Sequence, residues 1–182
     1  MSSVRILFVF LSALYLSGCS SNAKVENMAY QGAEKVYVEE LKDNIEVTSV
    51  AGGKESNSLW TSQISSEAFS IALEKSLIDQ NLFSKNGDYE LSVNFIKIDQ
   101  PVFGMDFEVK TYIQYKLKNT ITNHTVFNET VFAPYTAVFG DALVAADRLR
   151  LANEGSANKN IEMFLEELSD LKIRPNQISL RN

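Results

Sequence analysis

The feature that most constrains this chain is a strict alternation of side chains between positions 107 and 117. Apolar residues or threonine occupy the odd positions, which are Phe107, Val109, Thr111, Ile113, Tyr115 and Leu117. The even positions, apart from Tyr112, are charged or carry an amide. Because successive strand residues point to opposite faces, this period of two predicts a strand with one buried and one solvated face. Such a sheet needs a cover on its apolar face, which the rest of the chain must supply.

Two flanking runs predict neighbouring strands. Residues 89–95 alternate in the same way, after which Ile96 and Ile98 take the opposite parity. This slip of one residue predicts a bulge near Phe95. On the other side, residues 125–133 follow a polar loop and are expected to be the antiparallel partner of the long strand.

Two shorter β-prone runs come earlier in the chain, at 36–38 and 45–48. The polar residues 42–44 separate them, so they are expected to form a hairpin or a pair of neighbouring strands. A loop is expected at 51–58, where glycine, serine and asparagine are frequent.

Two helices are expected to provide the cover. The first is predicted from Leu59 to about Phe83 by apolar residues at intervals of three and four, and Asn86-Gly87 marks its end. The second is predicted from Asp141, a favourable N-cap, to Leu171, and its apolar residues form a single stripe.

The middle of the second helix departs from this stripe. Gly155 interrupts the helix, and Asn153, Ser156 and Asn160 project into the sector that is expected to be buried. Either the helix kinks here or these side chains pack against polar partners. One hypothesis is therefore a polar ligand or partner site at Asn153, Ser156 and Asn160; the other is a helix break with ordinary capping.

The order β-β-α-β-β-β-α predicts an α+β fold: a single mainly antiparallel sheet of about five strands with two helices packed on one face. The domain is expected to span residues 34–173. A flexible tail is expected at 174–182, which includes Pro175. A domain of this size can bury about 70% of the surface of its unfolded chain, which is enough for a core without disulfides or metals.

The N-terminus carries a targeting signal. Residues 6–16 form an apolar run after a short start whose one charged residue is Arg5. As a helix, this run would span roughly 16 Å at 1.5 Å per residue. That is well short of the roughly 30 Å hydrocarbon core of a membrane. Residues 1–18 are therefore expected to be a signal peptide rather than a membrane span.

Leu16-Ser17-Gly18-Cys19 resembles the lipobox of bacterial lipoproteins, in which a leucine and two small residues precede an obligatory cysteine. The resemblance implies cleavage between Gly18 and Cys19, a diacylglyceryl group on the Cys19 sulfur and usually an acyl chain on the new amino group. Two or three acyl chains make attachment effectively permanent. Ser20 is not the aspartate that commonly retains such proteins in the inner membrane, so the implied location is the periplasmic face of the outer membrane.

A flexible tether is expected to follow the lipidated cysteine. Residues 20–32 are polar and show no sustained period. The lipidated Cys19 and its tether are therefore assigned to residues 19–33. Fully extended, the tether would reach roughly 40 Å, which would let the domain stand clear of the lipid headgroups.

The charge of the chain excludes some partners. Its formal net charge is −6, and no window clusters lysine and arginine. Binding to nucleic acid or adsorption to anionic lipid needs such clusters, so neither is expected. The membrane is expected to be reached through Cys19, and the expected partner is a protein of the cell envelope. The oligomeric state stays open.

Residues that usually carry catalysis are scarce. His124 is the only histidine and lies in a polar loop, whereas a hydrolase would need a carboxylate and a nucleophile beside it. With Cys19 lipidated, the chain lacks the ligands of a zinc site. The sequence at 52–56 lacks the Lys-Ser or Lys-Thr pair of a phosphate-binding loop. We therefore expect no enzymatic activity, no metal and no cofactor.

In its element order the chain is similar to small α+β envelope lipoproteins, among them the lipopolysaccharide-assembly lipoprotein of the outer membrane. The leading expectation is a non-enzymatic binding or assembly module in the cell envelope. Two alternatives stay open. One is an accessory to lipid or lipopolysaccharide transport with an apolar groove between sheet and helices. The other is an enzyme whose site the sequence does not display.

Overall fold

The computed structural model describes residues 22–54 and 62–172. Four strands form a mixed sheet in the order β1-β2-β3-β4: β1 is Ile45–Ala51, β2 Tyr89–Asp99, β3 Phe107–Asn119 and β4 His124–Ala137. The helices are α1, Val25–Met28, α2, Ser66–Asp79, and α3, Ala145–Ser169. The predicted α+β class is confirmed, with four strands in the described residues instead of about five.

The strand that is absent is the one predicted at 36–38. These residues are irregular and lead into a 3₁₀ turn at Glu39–Leu41. The reason is that Tyr37 is buried and its hydroxyl donates to Gln80 Oε1 at 3.0 Å, which holds the segment at the end of α2. The predicted pairing with β1 is therefore wrong, and β1 lies parallel to β2.

The other strands follow the prediction closely. β2, β3 and β4 form an antiparallel meander, and the odd positions of β3 from Phe107 to Leu117 are buried. The register shift between Phe95 and Lys97 confirms the predicted bulge. As a result Ile96 is exposed while Ile98 packs against the core.

Helix α2 is shorter than predicted at both ends. Its N-cap is Ser65, whose Oγ accepts from the Ala68 N–H at 3.1 Å, so the helix begins at Ser66. Residues 55–61, which include the predicted start at Leu59, lie outside the described residues. The helix ends at Asp79 because Asn81 adopts a left-handed φ of 55° and turns the chain away.

Helix α3 also differs in its details. It begins at Ala145 because Asp141, the predicted N-cap, belongs to the preceding loop, where its Oδ2 accepts from the Val138 N–H at 2.8 Å. It continues through Gly155 to Ser169, so the predicted interruption is wrong. α3 covers β3 and β4, whereas α2 covers β1. No helix in the described ranges is long and apolar enough to cross a membrane.

The N-terminal segment packs on the domain where a tether was predicted. α1 lies against α3, and Met28 and Ala29 are buried. The Tyr30 N–H donates to Ser76 Oγ at 2.9 Å, which fixes the chain to α2 as well. The predicted flexible tether is therefore wrong from Ala23 onward, because these residues belong to the folded domain. The signal segment, Cys19 and the tail at 174–182 lie outside the described residues.

Candidate functional site

The three residues predicted to form a ligand patch lie on the side of α3 that meets the rest of the domain. Asn153, Ser156 and Asn160 are all fully buried. No ligand or partner in solvent can reach them, which corrects that hypothesis. The competing hypothesis of a helix break is wrong too, because the helix is continuous. Instead, the polar side chains meet polar partners inside the domain.

Asn160 joins α3 to two strands at once. Its Oδ1 accepts from the Tyr115 hydroxyl at 2.8 Å, and its Nδ2 donates to Thr111 Oγ1 at 3.1 Å and to the Val131 carbonyl at 3.0 Å. The ring of Tyr115 stacks on Phe164 with centroids 4.1 Å apart. A buried amide with both ends bonded stabilises one orientation of the helix on the sheet.

Ser156 and Asn153 extend this network. Ser156 Oγ donates to the Ala133 carbonyl on β4 at 2.8 Å. Asn153 Nδ2 donates to the Ser62 carbonyl at 2.9 Å, and its Oδ1 accepts from Gln100 Nε2 at 2.6 Å. α3 is thereby tied to β4, to the end of β2 and to the segment before α2. The role of these polar residues is structural.

Burial raises the pKa of the Tyr115 hydroxyl well above its ordinary value, and the Glu167 carboxylate raises it further. The pKa of Glu167 is itself raised by partial burial and by the charge of Glu129. A raised pKa keeps Tyr115 protonated, as its role as hydrogen-bond donor to Asn160 requires.

An open groove lies on another side of α3. α1 and the turn after it form one wall, and α3 forms the other; the volume is about 930 Å³. The lining residues are Glu26, Asn27, Ala29, Tyr30, Gln31, Gly32, Tyr135, Asp141, Leu151, Glu154, Gly155, Asn158, Lys159 and Glu162. Leu151, Glu154 and Asn158 belong to one face of the helix because they are three and four residues apart. This groove is the candidate functional site.

Glu154 fixes the two walls to each other. Its carboxylate accepts from the Lys24 N–H at 2.8 Å and from Asn27 Nδ2 at 2.7 Å, and it pairs with Arg150 Nη1 at 2.9 Å. The Glu154 side chain is only 3% exposed, so these bonds replace its hydration. One turn further along α3, Asn158 Nδ2 donates to the Ala29 carbonyl at 2.8 Å.

Gly155 sets the depth of the groove at its centre. A β-carbon at this position would come within 2.4 Å of Tyr135 Cδ1, so the ring of Tyr135 lies directly on the helix backbone. The ring remains 43% exposed. Together with Tyr30, it gives the groove an aromatic surface beside its polar groups.

The groove is rich in hydrogen-bond acceptors. Glu26, Asp141 and Glu162 contribute carboxylates that solvent reaches, whereas the Glu154 carboxylate is buried and already paired with Arg150. Lys159 is the one basic residue among the lining residues. Lys159 Nζ already pairs with Glu162 Oε2 at 2.8 Å. Carboxylates beside the exposed ring of Tyr135 suit a cationic, donor-rich ligand, because ammonium and guanidinium groups bind both.

The described residues display neither a catalytic constellation nor an apolar tunnel between the layers. His124 is exposed at the start of β4, and no described group of three or more His, Cys, Asp or Glu residues could hold a metal. The described interface between sheet and helices is packed: Phe164 contacts Tyr115 and Phe127, and Phe69 contacts Phe95. The groove between α1 and α3, in contrast, is open to solvent.

The groove residues of α3 belong to the same polar stretch as the residues predicted from the sequence, but they lie on the other side of the helix. The run at 153–160 contains both the three buried residues and four residues that line the groove, which are Glu154, Gly155, Asn158 and Lys159. The helical phase separates them, but it does not show which face another segment will cover. The covering segment is α1, and the sequence predicted a flexible tether in its place.

Neither a protein-family model nor a curated protein matches the sequence. Among solved structures, the chain is similar to protein XCC0632 of Xanthomonas campestris, of family DUF330, at 9% identity and a TM-score of 0.55, covering 77% of this chain and 90% of that one. It is also similar to a candidate lipoprotein of Caulobacter crescentus CB15, at 14% identity and a TM-score of 0.45, covering 69% of this chain and 88% of that one. A third similar structure is hypothetical protein CT253 of Chlamydia trachomatis, at 8% identity and a TM-score of 0.47, covering 75% of this chain and 94% of that one. At these identities, the likeness to the Xanthomonas protein shows a shared fold.

Proposed function

We propose that this chain is a lipid-anchored protein on the periplasmic face of the bacterial outer membrane and acts there as a non-enzymatic binding module. The anchor is Cys19, at the end of the lipobox-like sequence Leu16-Ser17-Gly18-Cys19. The binding site is the groove between α1 and α3, and its ligand is an extended, positively charged segment of an envelope protein.

The observation that carries the binding proposal is the composition of the groove. Its volume of about 930 Å³ is at the upper end of the roughly 300–1,000 Å³ that is typical of ligand sites. Carboxylates outnumber basic groups along it, and the rings of Tyr30 and Tyr135 border it. An extended chain with lysine or arginine side chains would satisfy both features at once.

The rigidity of the walls supports the same proposal. Glu154 and Asn158 hold α1 against α3 through hydrogen bonds to its backbone and to Asn27. A preformed groove loses little conformational entropy on binding, so a modest contact area can give useful affinity.

Site-specific photocrosslinking in intact native cells tests the binding role. A photoreactive residue at Leu151, in the groove, should give a discrete protein adduct, whereas one at the exposed Ile71 on α2 should not. Glu26→Lys combined with Glu162→Lys should abolish the adduct. The control Glu166→Lys, an exposed site on the same helix outside the groove, should preserve it. Equal adducts at Leu151 and Ile71, or insensitivity to charge reversal in the groove, would refute the proposal.

The anchor is tested separately. Metabolic labelling with an alkyne fatty acid should mark the wild-type chain, and mass spectrometry should find the acyl groups on an N-terminal Cys19. Cys19→Ser should remove the label and release the protein from the membrane fraction. An unmodified thiol in native material would contradict the anchor without affecting the groove.

A further inference from the structure

Two loops meet at one end of the domain and expose apolar side chains. Residues 100–106 connect β2 to β3, and residues 138–144 connect β4 to α3. They are neighbours because Phe107 pairs with Ala137 at the strand ends and the Phe139 N–H donates to Asp106 Oδ1 at 2.9 Å. We call the two loops together the apolar tip.

The tip exposes several large apolar side chains. Val102 is 94% exposed, Phe103 88%, Leu143 82% and Met105 70%. Neither loop contains a lysine or an arginine. Contiguous exposed apolar groups of this kind mark a contact with a protein or a membrane.

The second loop is held in place by Arg148. Its guanidinium lies 5.2 Å from the ring centroid of Phe107 and 5.1 Å from that of Phe139. Nη1 donates to the carbonyls of Ala142 at 2.6 Å and Leu143 at 3.1 Å. The outward orientation of this loop is therefore built into the fold, since a buried arginine supports it from below.

The first described residues lie on the side from which the tip projects. Lys24 bonds to Glu154, and Ala29 bonds to Asn158, so the segment runs alongside α3 in the same direction as the helix. The described chain therefore starts on the side of the N-terminal end of α3, the end that the 138–144 loop of the tip joins. Glu154 is nine residues from that end, which is about 14 Å at 1.5 Å per residue.

Cys19 precedes Lys24 by five residues, so its Cα lies within about 18 Å of the Lys24 Cα in any conformation. A lipid anchor this close cannot let the domain stand far from the bilayer. It allows the apolar tip to reach the level of the headgroups, where exposed aromatic and aliphatic side chains gain free energy by insertion.

We propose that the apolar tip inserts into the lipid bilayer beside the acyl chains of Cys19, which orients the domain on the membrane. This inference rests on the proposed lipid anchor. Because both loops lack basic residues, the contact is with the apolar boundary of the bilayer rather than with anionic headgroups. Val102, Phe103, Met105 and Leu143 are the inserting side chains.

The test uses the processed, lipidated chain in phosphatidylethanolamine and phosphatidylglycerol vesicles. Phe103→Cys carries an environment-sensitive fluorophore; the one native cysteine, Cys19, is blocked by its lipid. The matched control is Ile121→Cys, a 75% exposed apolar position on the turn at the opposite end of the sheet. Brominated lipid should quench the probe at 103 at least fivefold more than the probe at 121, and an aqueous quencher should show the reverse order.

The outcomes separate the two proposals. If mass spectrometry finds Cys19 without lipid, both the anchor and the inserted tip are wrong. If the chain is lipidated and sediments with vesicles but the probes at 103 and 121 respond alike, only the inserted tip is overturned. Shielding of the 103 probe in native membranes but not in pure lipid would assign the tip to a protein partner and also overturn the inference.

Discussion

The ring of Tyr135 on β4 lies over Gly155 on α3, so close that a β-carbon on the glycine would come within 2.4 Å of Tyr135 Cδ1. In the sequence, this glycine looks like a helix breaker, but the helix does not break there. Its function is to let strand and helix approach, because glycine has no side chain to separate them. The two residues together shape the floor of the groove.

Gly155→Ala should therefore destabilise the protein, although alanine is the better helix former. Overpacking costs about 1–3 kcal/mol, against a gain in helix propensity of about 1 kcal/mol. We expect a net loss of up to about 2 kcal/mol in the free energy of unfolding, measured by urea denaturation. In a Tyr135→Ala background, the same substitution should become neutral or stabilising. A loss of equal size in both backgrounds would show that the ring is not the cause.

Asn160→Leu should also destabilise the protein, although position 160 lies in the buried interior. The substitution leaves the Tyr115 hydroxyl buried without its acceptor, and an unsatisfied buried group costs about 1–3 kcal/mol. Adding Tyr115→Phe removes that unpaired hydroxyl, so the double variant should recover part of the loss. A stability gain in Asn160→Leu alone would contradict the structural role assigned to this network.

The long strands of the sheet could be predicted because a local alternation of apolar and polar residues marks them in the sequence. The alternation of 107–117 and the parity slip near Phe95 both follow from the geometry of a single strand, and both match the structure. The strand predicted at 36–38 failed for a non-local reason. Tyr37 is drawn to Gln80, which is 43 residues away, and no local pattern contains that contact.

The site was less predictable for the same reason. A polar residue on a helix is either buried or lines a groove, depending on what covers it. Met28 and Ala29 are the residues that anchor the covering segment, and the short α1 around them carries too few residues for a helical period to show. The polar run on α3 was visible in the sequence, but its division into core and groove required the tertiary structure.

Glu154→Gln should loosen the N-terminal segment. The amide keeps the shape of the side chain but loses the charge that pairs with Arg150, and one of its two ends cannot accept a hydrogen bond. Removing one partner of a buried ion pair costs roughly 3–5 kcal/mol. Trypsin should then cut after Lys24 faster than in wild type, as followed by mass spectrometry.

Glu162→Gln is the matched control for this experiment. Glu162 also lies on α3 and pairs with Lys159, but both side chains are substantially exposed. Such a pair contributes about 0–1 kcal/mol, so stability and cleavage after Lys24 should stay near wild type. If both variants behaved alike, Glu154 would not be what holds α1 to α3.

The buried tyrosines predict a loss of stability at high pH. Burial is the main cause that raises the pKa of both Tyr115 and Tyr37 in the folded protein, whereas in the unfolded chain tyrosine titrates near pH 10. The folded state therefore retains protons that the unfolded state loses. Their stabilising effect is complete below about pH 10, and the free energy of unfolding falls as the pH rises above it, by up to about 1.4 kcal/mol per pH unit for each tyrosine.

Tyr115→Phe separates this effect from general alkaline denaturation. The variant starts with lower stability at neutral pH because Asn160 loses a hydrogen bond, but its unfolding free energy should fall less steeply above pH 10 than that of wild type. The matched control is Tyr112→Phe, which removes a tyrosine hydroxyl from the solvated face of β3. Its unfolding free energy should still fall steeply above pH 10, because Tyr115 is retained. The prediction follows from the burial of Tyr115 against Phe164. Parallel curves for Tyr115→Phe and wild type between pH 10 and 11.5 would contradict it, because they would mean that Tyr115 titrates equally in the folded and unfolded states.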